Sequence, residues 1–166
     1  MEKRKSDEKG FTLIEVIVTL ILVGITAALA GMWIVSVVNG YIFTKMNAST
    51  VQKAQLSMTR LAKEFVAITA VTASSDTGIT YTRTDNTLGS VTGQSVSKIG
   101  SNLKMNTNNT LTDSVSAFSL AYCDSLNSSC VTTWSSTSRI IQIKLTLTAG
   151  NNTPVEFVQR VTPRNL

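Results

Sequence analysis

The most restrictive feature of this chain is an apolar segment without any charged residue, which runs from Val16 to Val38. As a helix with a rise of about 1.5 Å per residue, it is long enough to cross the hydrocarbon core of a bilayer, roughly 30 Å thick. Basic residues precede the segment and a long polar region follows it, an arrangement that favours a cytoplasmic N-terminus. The sequence therefore predicts a single-pass membrane protein with its polar region outside the cytoplasm.

Two ordinary explanations of this segment compete with a specialised one. The first is a plain transmembrane anchor. The second is a secretory signal peptide, for which Ala28-Leu29-Ala30 supplies a cleavage pattern of small residues. Against a signal peptide, the apolar stretch already begins at Phe11 and contains Glu15, whereas a typical signal core is uncharged and only about 7–15 residues long. A lipoprotein is excluded because no cysteine lies near the segment.

Glu15 is the unusual residue of the segment. A carboxylate in an apolar membrane helix costs a few kcal/mol unless it finds a partner. In one interpretation Glu15 reaches the interface and has no function. In the other it pairs with a cation at the same depth, such as the free amino group of Phe11 on a neighbouring subunit after cleavage behind Gly10. Such a pair, at about 4 Å and an effective dielectric constant near 20, gains about 4 kcal/mol and offsets the burial cost.

The N-terminal pattern resembles the class III leader of type IV pilins and of the pseudopilins of type II secretion and competence systems. The resemblance rests on a short charged leader that ends at Gly10, on the stretch Phe11-Thr12-Leu13-Ile14-Glu15, and on the apolar run behind it. It implies cleavage between Gly10 and Phe11 by a prepilin peptidase, N-methylation of Phe11, and a role for Glu15 in assembly.

The same resemblance implies the partners and location of the chain. The partners are other pilin or pseudopilin subunits, the prepilin peptidase and an inner-membrane assembly platform. The chain first spans the inner membrane with its N-terminus in the cytoplasm and then enters a periplasmic or extracellular filament. The implied function is that of a structural subunit.

A second apolar stripe predicts that the helix continues beyond the membrane segment. No proline occurs before Pro154, and we expect helix from about Thr12 to about Val71. The stripe alternates spacings of four and three residues, as one face of a helix does, through Ala54, Met58, Leu61, Phe65 and Ile68. We expect an α+β fold like that of pilins, in which a long N-terminal helix packs on an antiparallel β-sheet head. The expected segments are a leader at 1–10, a membrane or filament-core helix at 11–39, its amphipathic continuation at 40–72, and a β-rich head at 73–166.

Two details favour a minor subunit. Many major pilins carry a proline about two-thirds along the apolar stretch, where this chain has Gly31-Met32-Trp33. The sequence Arg60-Leu61-Ala62-Lys63-Glu64-Phe65, together with a terminal hairpin that ends near Pro163, resembles J-type pseudopilins and W-type minor pilins.

The head region shows strand patterns of increasing clarity towards the C-terminus. Short β-like pieces occur at Ile79–Thr82 and Ser95–Ile99, and the best strand is Arg139–Thr148, where apolar and polar residues alternate. A turn at Gly150–Pro154 leads into a partner strand that begins at Val155 and ends the sheet.

Cys123 and Cys130 flank six residues, mostly polar, that are typical of a hairpin loop. In a non-cytoplasmic compartment this arrangement predicts a disulfide. A zinc or redox site lacks further ligands, since the chain has no other cysteine and no histidine.

Composition argues against an enzyme. The absence of histidine removes the most frequent general base and the commonest metal ligand, and the carboxylates are too dispersed to nominate a catalytic pair. We predict no catalytic residue, no metal and no cofactor. The net charge of +5 comes from scattered basic residues that do not predict a nucleic-acid site. The alternative function is a membrane-tethered or secreted binding domain that does not assemble.

Overall fold

A computed structural model describes residues 10–85, 87–164 and 166. The chain forms two compact units, of which one ends at Ile42 and the other begins at Phe43. The helix α1 covers Leu13–Val66 and therefore contributes to both units. Nine β-strands follow within the described residues, all in the second unit.

In the first unit, α1 is apolar on all sides. Every residue from Gly10 to Ile42 is exposed in the monomer. Among the described residues, α1 is the helix that is long and apolar enough to cross a membrane, with a mean hydropathy of 2.5 over its best 18-residue window. A helix without a polar face needs an apolar environment that the monomer itself does not supply.

In the second unit, α1 buries one face against the sheets. The buried residues are Thr50, Ala54, Ser57, Met58, Leu61 and Phe65, which confirms the helical part of the predicted stripe. The expected extension of the helix to about Val71, and of its segment to residue 72, is wrong. The helix ends at Val66 because the β-branched residues that follow pair as a strand with the next segment. Ile68 belongs to the core as predicted, but on a strand.

The first sheet is an antiparallel meander in which each strand pairs with the next in sequence. Both weak β-like pieces of the sequence are confirmed as parts of longer strands. The five strands are β1 (Ile68–Ser74), β2 (Gly78–Asp85), β3 (Gly89–Ile99), β4 (Asn102–Met105) and β5 (Asn109–Thr112).

The second sheet has the strand order β7-β6-β8-β9 and is also antiparallel. The predicted strand at 139–148 and its partner are confirmed as β8 and β9, and β9 forms the edge of the sheet. The alternating residues Ile141, Ile143, Leu145 and Leu147 are fully buried. The strands are β6 (Val115–Cys123), β7 (Cys130–Val131), β8 (Ile140–Thr148) and β9 (Pro154–Val161).

The head thus contains two sheets where the sequence predicted one. The division falls between β5 and β6, where Ser114 adopts a positive φ of 57° and redirects the chain. The β1–β2 turn then ties the sheets together. In this turn the carbonyl of Asp76 accepts from the Leu120 amide, and the carbonyl of Ser75 accepts from the Tyr122 hydroxyl at 3.2 Å.

The turn between β8 and β9 docks on the beginning of α1 in the second unit. The amide of Gly150 donates to Asn47 Oδ1 at 3.0 Å. A Cβ atom at position 150 would lie 2.8 Å from Cδ2 of Phe43, so the close approach requires glycine. This contact fixes the predicted turn against the helix.

Candidate functional site

The predicted processing site lies at the start of α1, where Thr12 caps the helix. The amide of Glu15 donates to the carbonyl of Thr12 at 3.1 Å and to Thr12 Oγ1 at 3.3 Å. Thr12 is therefore the N-cap residue and Glu15 the third helical residue, the spacing of a capping box. The pattern Thr-x-x-Glu was present in the sequence and would have identified Thr12 as the cap.

Gly10 and Phe11 precede the helix and are both accessible. The side chain of Phe11 is 81% exposed, and a Cβ atom at Gly10 would meet no other atom within 4 Å. The peptide bond between these residues therefore lies in a non-helical, open segment directly before the cap. A protease can reach such a bond without unwinding α1, because the capped helix begins only at Leu13.

Glu15 lies in the first turn of α1 and is exposed. The structure gives it no ion pair within the described residues. Its position near the positive end of the helix dipole supplies about 0.3–1 kcal/mol. This gain is smaller than the few kcal/mol that a carboxylate costs in a membrane. The capping role alone is therefore smaller than the cost of burying Glu15 in a membrane.

The Cys123–Cys130 disulfide is formed, which confirms the predicted pairing. The two cysteines are direct partners in the β6–β7 ladder, so strand register brings them together. Arg160 on β9 contacts the loop between the two cysteines, since its Nη1 donates to the carbonyl of Leu126 at 2.8 Å. No cluster of metal-ligating side chains occurs in the part of the chain that the structure describes.

A partly buried ion network in the head was not predicted. Arg83 on β2 lies between Glu64 on α1, at 3.1 Å from Nε to Oε2, and Asp85, at 3.0 Å from Nη1 to Oδ2. The pKa of Asp85 is lowered, first by the amides of Thr87 and Leu88 and then by Arg83. The spacing of Arg83 and Asp85 along one strand was visible in the sequence, but the approach of Glu64 depends on the fold.

The buried tyrosine beside this network also has a shifted pKa. Tyr81 is fully buried and stacks edge-on against Phe65, with ring centroids 5.8 Å apart. Burial raises its pKa, and the charge of Glu64 adds to the effect. Tyr81 therefore stays neutral in the folded head and serves as a core residue.

Comparison with known proteins identifies the N-terminal segment. Residues 5–31 match a family model described as the prokaryotic N-terminal methylation motif. This range includes Gly10, Phe11, Glu15 and α1 as far as Gly31, whereas its first residues, 5–9, lie outside the described residues. No curated protein and no solved structure matches the chain.

The chain therefore carries the class III motif that occurs in type IV pilins and pseudopilins. Proteins of that kind are structural and not enzymes, in agreement with the sequence analysis. The architecture, a long apolar N-terminal helix packed on antiparallel sheets, is also pilin-like.

Proposed function

We propose that this chain is a minor structural subunit of a type IV pilus or a type II secretion pseudopilus, which assembles through α1 after removal of its leader. The observation that carries the proposal is a coincidence of two features. The methylation motif covers residues 5–31, and the predominantly apolar helix that begins within it is exposed at every position up to Ile42. A structural subunit that buries this helix first in a membrane and then among other subunits accounts for both.

In this proposal a prepilin peptidase cuts between Gly10 and Phe11, and the new N-terminus at Phe11 is methylated. Cleavage creates a new cation, the amino group of Phe11, as a partner for Glu15. Phe11 and Glu15 are held at the same end of α1, on either side of the cap Thr12, so their charged groups pair mainly between subunits: the Phe11 amino group of one subunit meets Glu15 of its neighbour. The pair gains about 4 kcal/mol at roughly 4 Å and an effective dielectric constant near 20, which offsets the burial of the carboxylate.

The minor role and the location of the subunit belong to the same proposal. Within the described residues, α1 contains no proline, unlike many major pilins, and the head ends in the β8–β9 hairpin, as the similarity to J-type and W-type subunits implies. The subunit spans the inner membrane with a cytoplasmic N-terminus and interacts with the assembly platform before it enters the filament.

The decisive experiment is the intact mass and N-terminal sequence of the protein purified from its native membranes. We expect a chain that starts at methylated Phe11. A chain that starts at Gly31 would indicate a signal peptide and a secreted binding domain. A chain that starts at Met1, in cells with an active prepilin peptidase, would indicate an uncleaved, membrane-tethered binding domain. Either result would overturn the proposal.

Two glycine variants provide a matched control for cleavage. A Cβ atom added at Gly10 or at Gly24 would meet no other atom within 4 Å, so the two positions are matched in the space available to a new side chain. We expect Gly10→Val to retain the leader because the residue before the cleaved bond is changed. Gly24→Val, which lies within the apolar helix, should be processed normally.

A charge variant separates processing from assembly. We expect Glu15→Gln to be cut after Gly10 but to be absent from sheared filaments or from the assembled pseudopilus. The control is Glu156→Gln, which removes an exposed carboxylate on β9. Incorporation of Glu15→Gln at the wild-type level would contradict the assigned role of Glu15.

A further inference from the structure

The exposed face of α1 in the second unit carries a row of basic residues with polar and apolar residues between them. At 100° per residue, these positions fall within about 120° of one another, on the side of the helix opposite to the buried stripe. The basic residues of the row are exposed. We call this row the basic face; it consists of Lys45, Ser49, Gln52, Lys53, Leu56, Thr59, Arg60 and Lys63.

The helix itself does not neutralise the basic face. Between Glu15 and Glu64 the sequence contains no carboxylate. Lys53 pairs with Asp113 from the head, with Nζ 2.7 Å from Oδ1. The structure gives Arg60 and Lys63 no ion pair within residues 10–85, 87–164 and 166. Two adjacent turns of α1 therefore present cations that remain available to a partner.

A cleft adjoins these two cations. It has a volume of about 470 Å³, and its walls come from α1 and β2. Glu64 and Asp85 lie in the cleft, but both are already paired with Arg83. Its lining consists of Leu56, Thr59, Arg60, Lys63, Glu64, Arg83 and Asp85. The two carboxylates of the cleft are thus paired with Arg83, whereas Arg60 and Lys63 at its rim have no ion pair among the described residues.

Leu56 gives the cleft an apolar end. Its side chain is 71% exposed, although its neighbours on the basic face are charged or polar. Burying a leucine gains about 1.5–3 kcal/mol. A partner that covers Leu56 therefore adds affinity that electrostatic attraction at an exposed surface does not supply by itself.

We propose that this cleft is a docking site for an acidic segment of a partner protein, with a carboxylate between Arg60 and Lys63 and an apolar side chain on Leu56. Charge complementarity selects an acidic partner. The apolar end favours a protein over a nucleic acid, because a row of phosphates gains nothing from covering Leu56. The proposal concerns the second unit and does not depend on leader cleavage.

Photo-crosslinking in the native cells tests the site. The probe is p-benzoylphenylalanine in place of Leu56 in the full chain, with the crosslinked peptides identified by mass spectrometry. We expect a protein adduct whose partner peptide contains aspartate or glutamate. The double variant Arg60→Glu/Lys63→Glu should reduce this adduct at least about tenfold, since both attractive charges become repulsive. Lysine substitutions at the acidic residues of the partner peptide should restore it.

The matched control is Lys98→Glu/Lys104→Glu. These lysines lie on the paired strands β3 and β4 of the head and are not part of the cleft, so this variant should retain the adduct. An adduct that is insensitive to Arg60→Glu/Lys63→Glu, an adduct to nucleic acid or lipid, or the lack of any adduct would overturn the docking proposal. The N-terminal mass of the same samples reports on the proposed function separately, because leader cleavage does not involve the cleft.

Discussion

The two parts of α1 have the same secondary structure, but only the second part buries side chains against the strands of the head. From Leu13 to Ile42 every residue is exposed, and nearly all are apolar. From Phe43 to Val66 the helix buries one stripe and exposes a polar face. Hydrophobicity therefore stabilises the head in the second part, whereas in the first part it is available for a membrane or for other subunits.

The largest test of this difference is the same substitution in both parts. Leu61 is fully buried, whereas Leu22 is 56% exposed. We expect Leu61→Ala to reduce the free energy of unfolding of the head by about 2–5 kcal/mol, since it leaves a cavity. Leu22→Ala should change it by less than about 0.5 kcal/mol. Denaturant unfolding in detergent measures both, with Trp134 as the reporter in a Trp33→Phe background. Equal effects of the two substitutions would contradict the division.

The disulfide provides the next largest effect, and it is confined to the head. Replacement of Cys123 and Cys130 by alanine should reduce the unfolding free energy by about 2–3 kcal/mol, because the unfolded chain gains the entropy of a short open loop. Addition of a reductant to the wild-type protein should give the same loss. The proposed cleavage after Gly10 should not change, since both cysteines lie in the second unit. Altered processing in the double variant would show that the two regions are coupled.

A pair of asparagines on α1 tests where the head contacts begin. Asn47 accepts the amide of the buried Gly150 at 3.0 Å, whereas Asn39 is exposed. Asn47→Ala leaves that buried amide unpaired and should cost about 1–3 kcal/mol. Asn39→Ala should have an effect within about 0.5 kcal/mol. The same unfolding assay measures both variants. A cost for Asn39→Ala similar to that for Asn47→Ala would show that contacts between α1 and the head begin nearer the N-terminus than Asn47.

The smallest expected effect is a pH dependence at the surface of the head. The hydrogen bond from Lys53 lowers the pKa of Asp113 below its ordinary value of 3.8. Because the folded-state pKa is lower than the unfolded one, the pair stabilises the head above pH 3.8 and loses this contribution as the pH falls through the folded-state pKa.

Both side chains of this pair are about half exposed, so the contribution should be less than about 0.5 kcal/mol at physiological salt. Asp113→Asn should remove this part of the acid dependence of unfolding. Asp124→Asn, at an exposed position in the disulfide loop, serves as the control. An effect of Asp113→Asn above about 1 kcal/mol would indicate stronger coupling than a screened surface pair allows.

The sequence predicted those elements whose signal is local. The apolar helix, the alternating strand β8 and the hairpin closed by the Cys123–Cys130 disulfide all follow from residues close together in the chain. The end of α1 was misplaced because Ile68 continues the spacing of the helical stripe. In the structure Ile68 instead pairs with Arg83 on β2. This pairing depends on residues of β2, which the helical spacing of the stripe does not include.

The sequence alone predicts the methylation motif, the membrane-length helix and the disulfide, because each depends on the order and type of neighbouring residues. Three features depend on the packing of the whole head: its division into two sheets, the contact between Glu64 and Arg83, and the cleft that Arg60 and Lys63 flank beside the exposed Leu56. These features differ from the predicted ones in the separation of their residues along the chain. Side chains far apart in sequence are brought together by the packing of α1 on the strands, and no local pattern encodes their spacing.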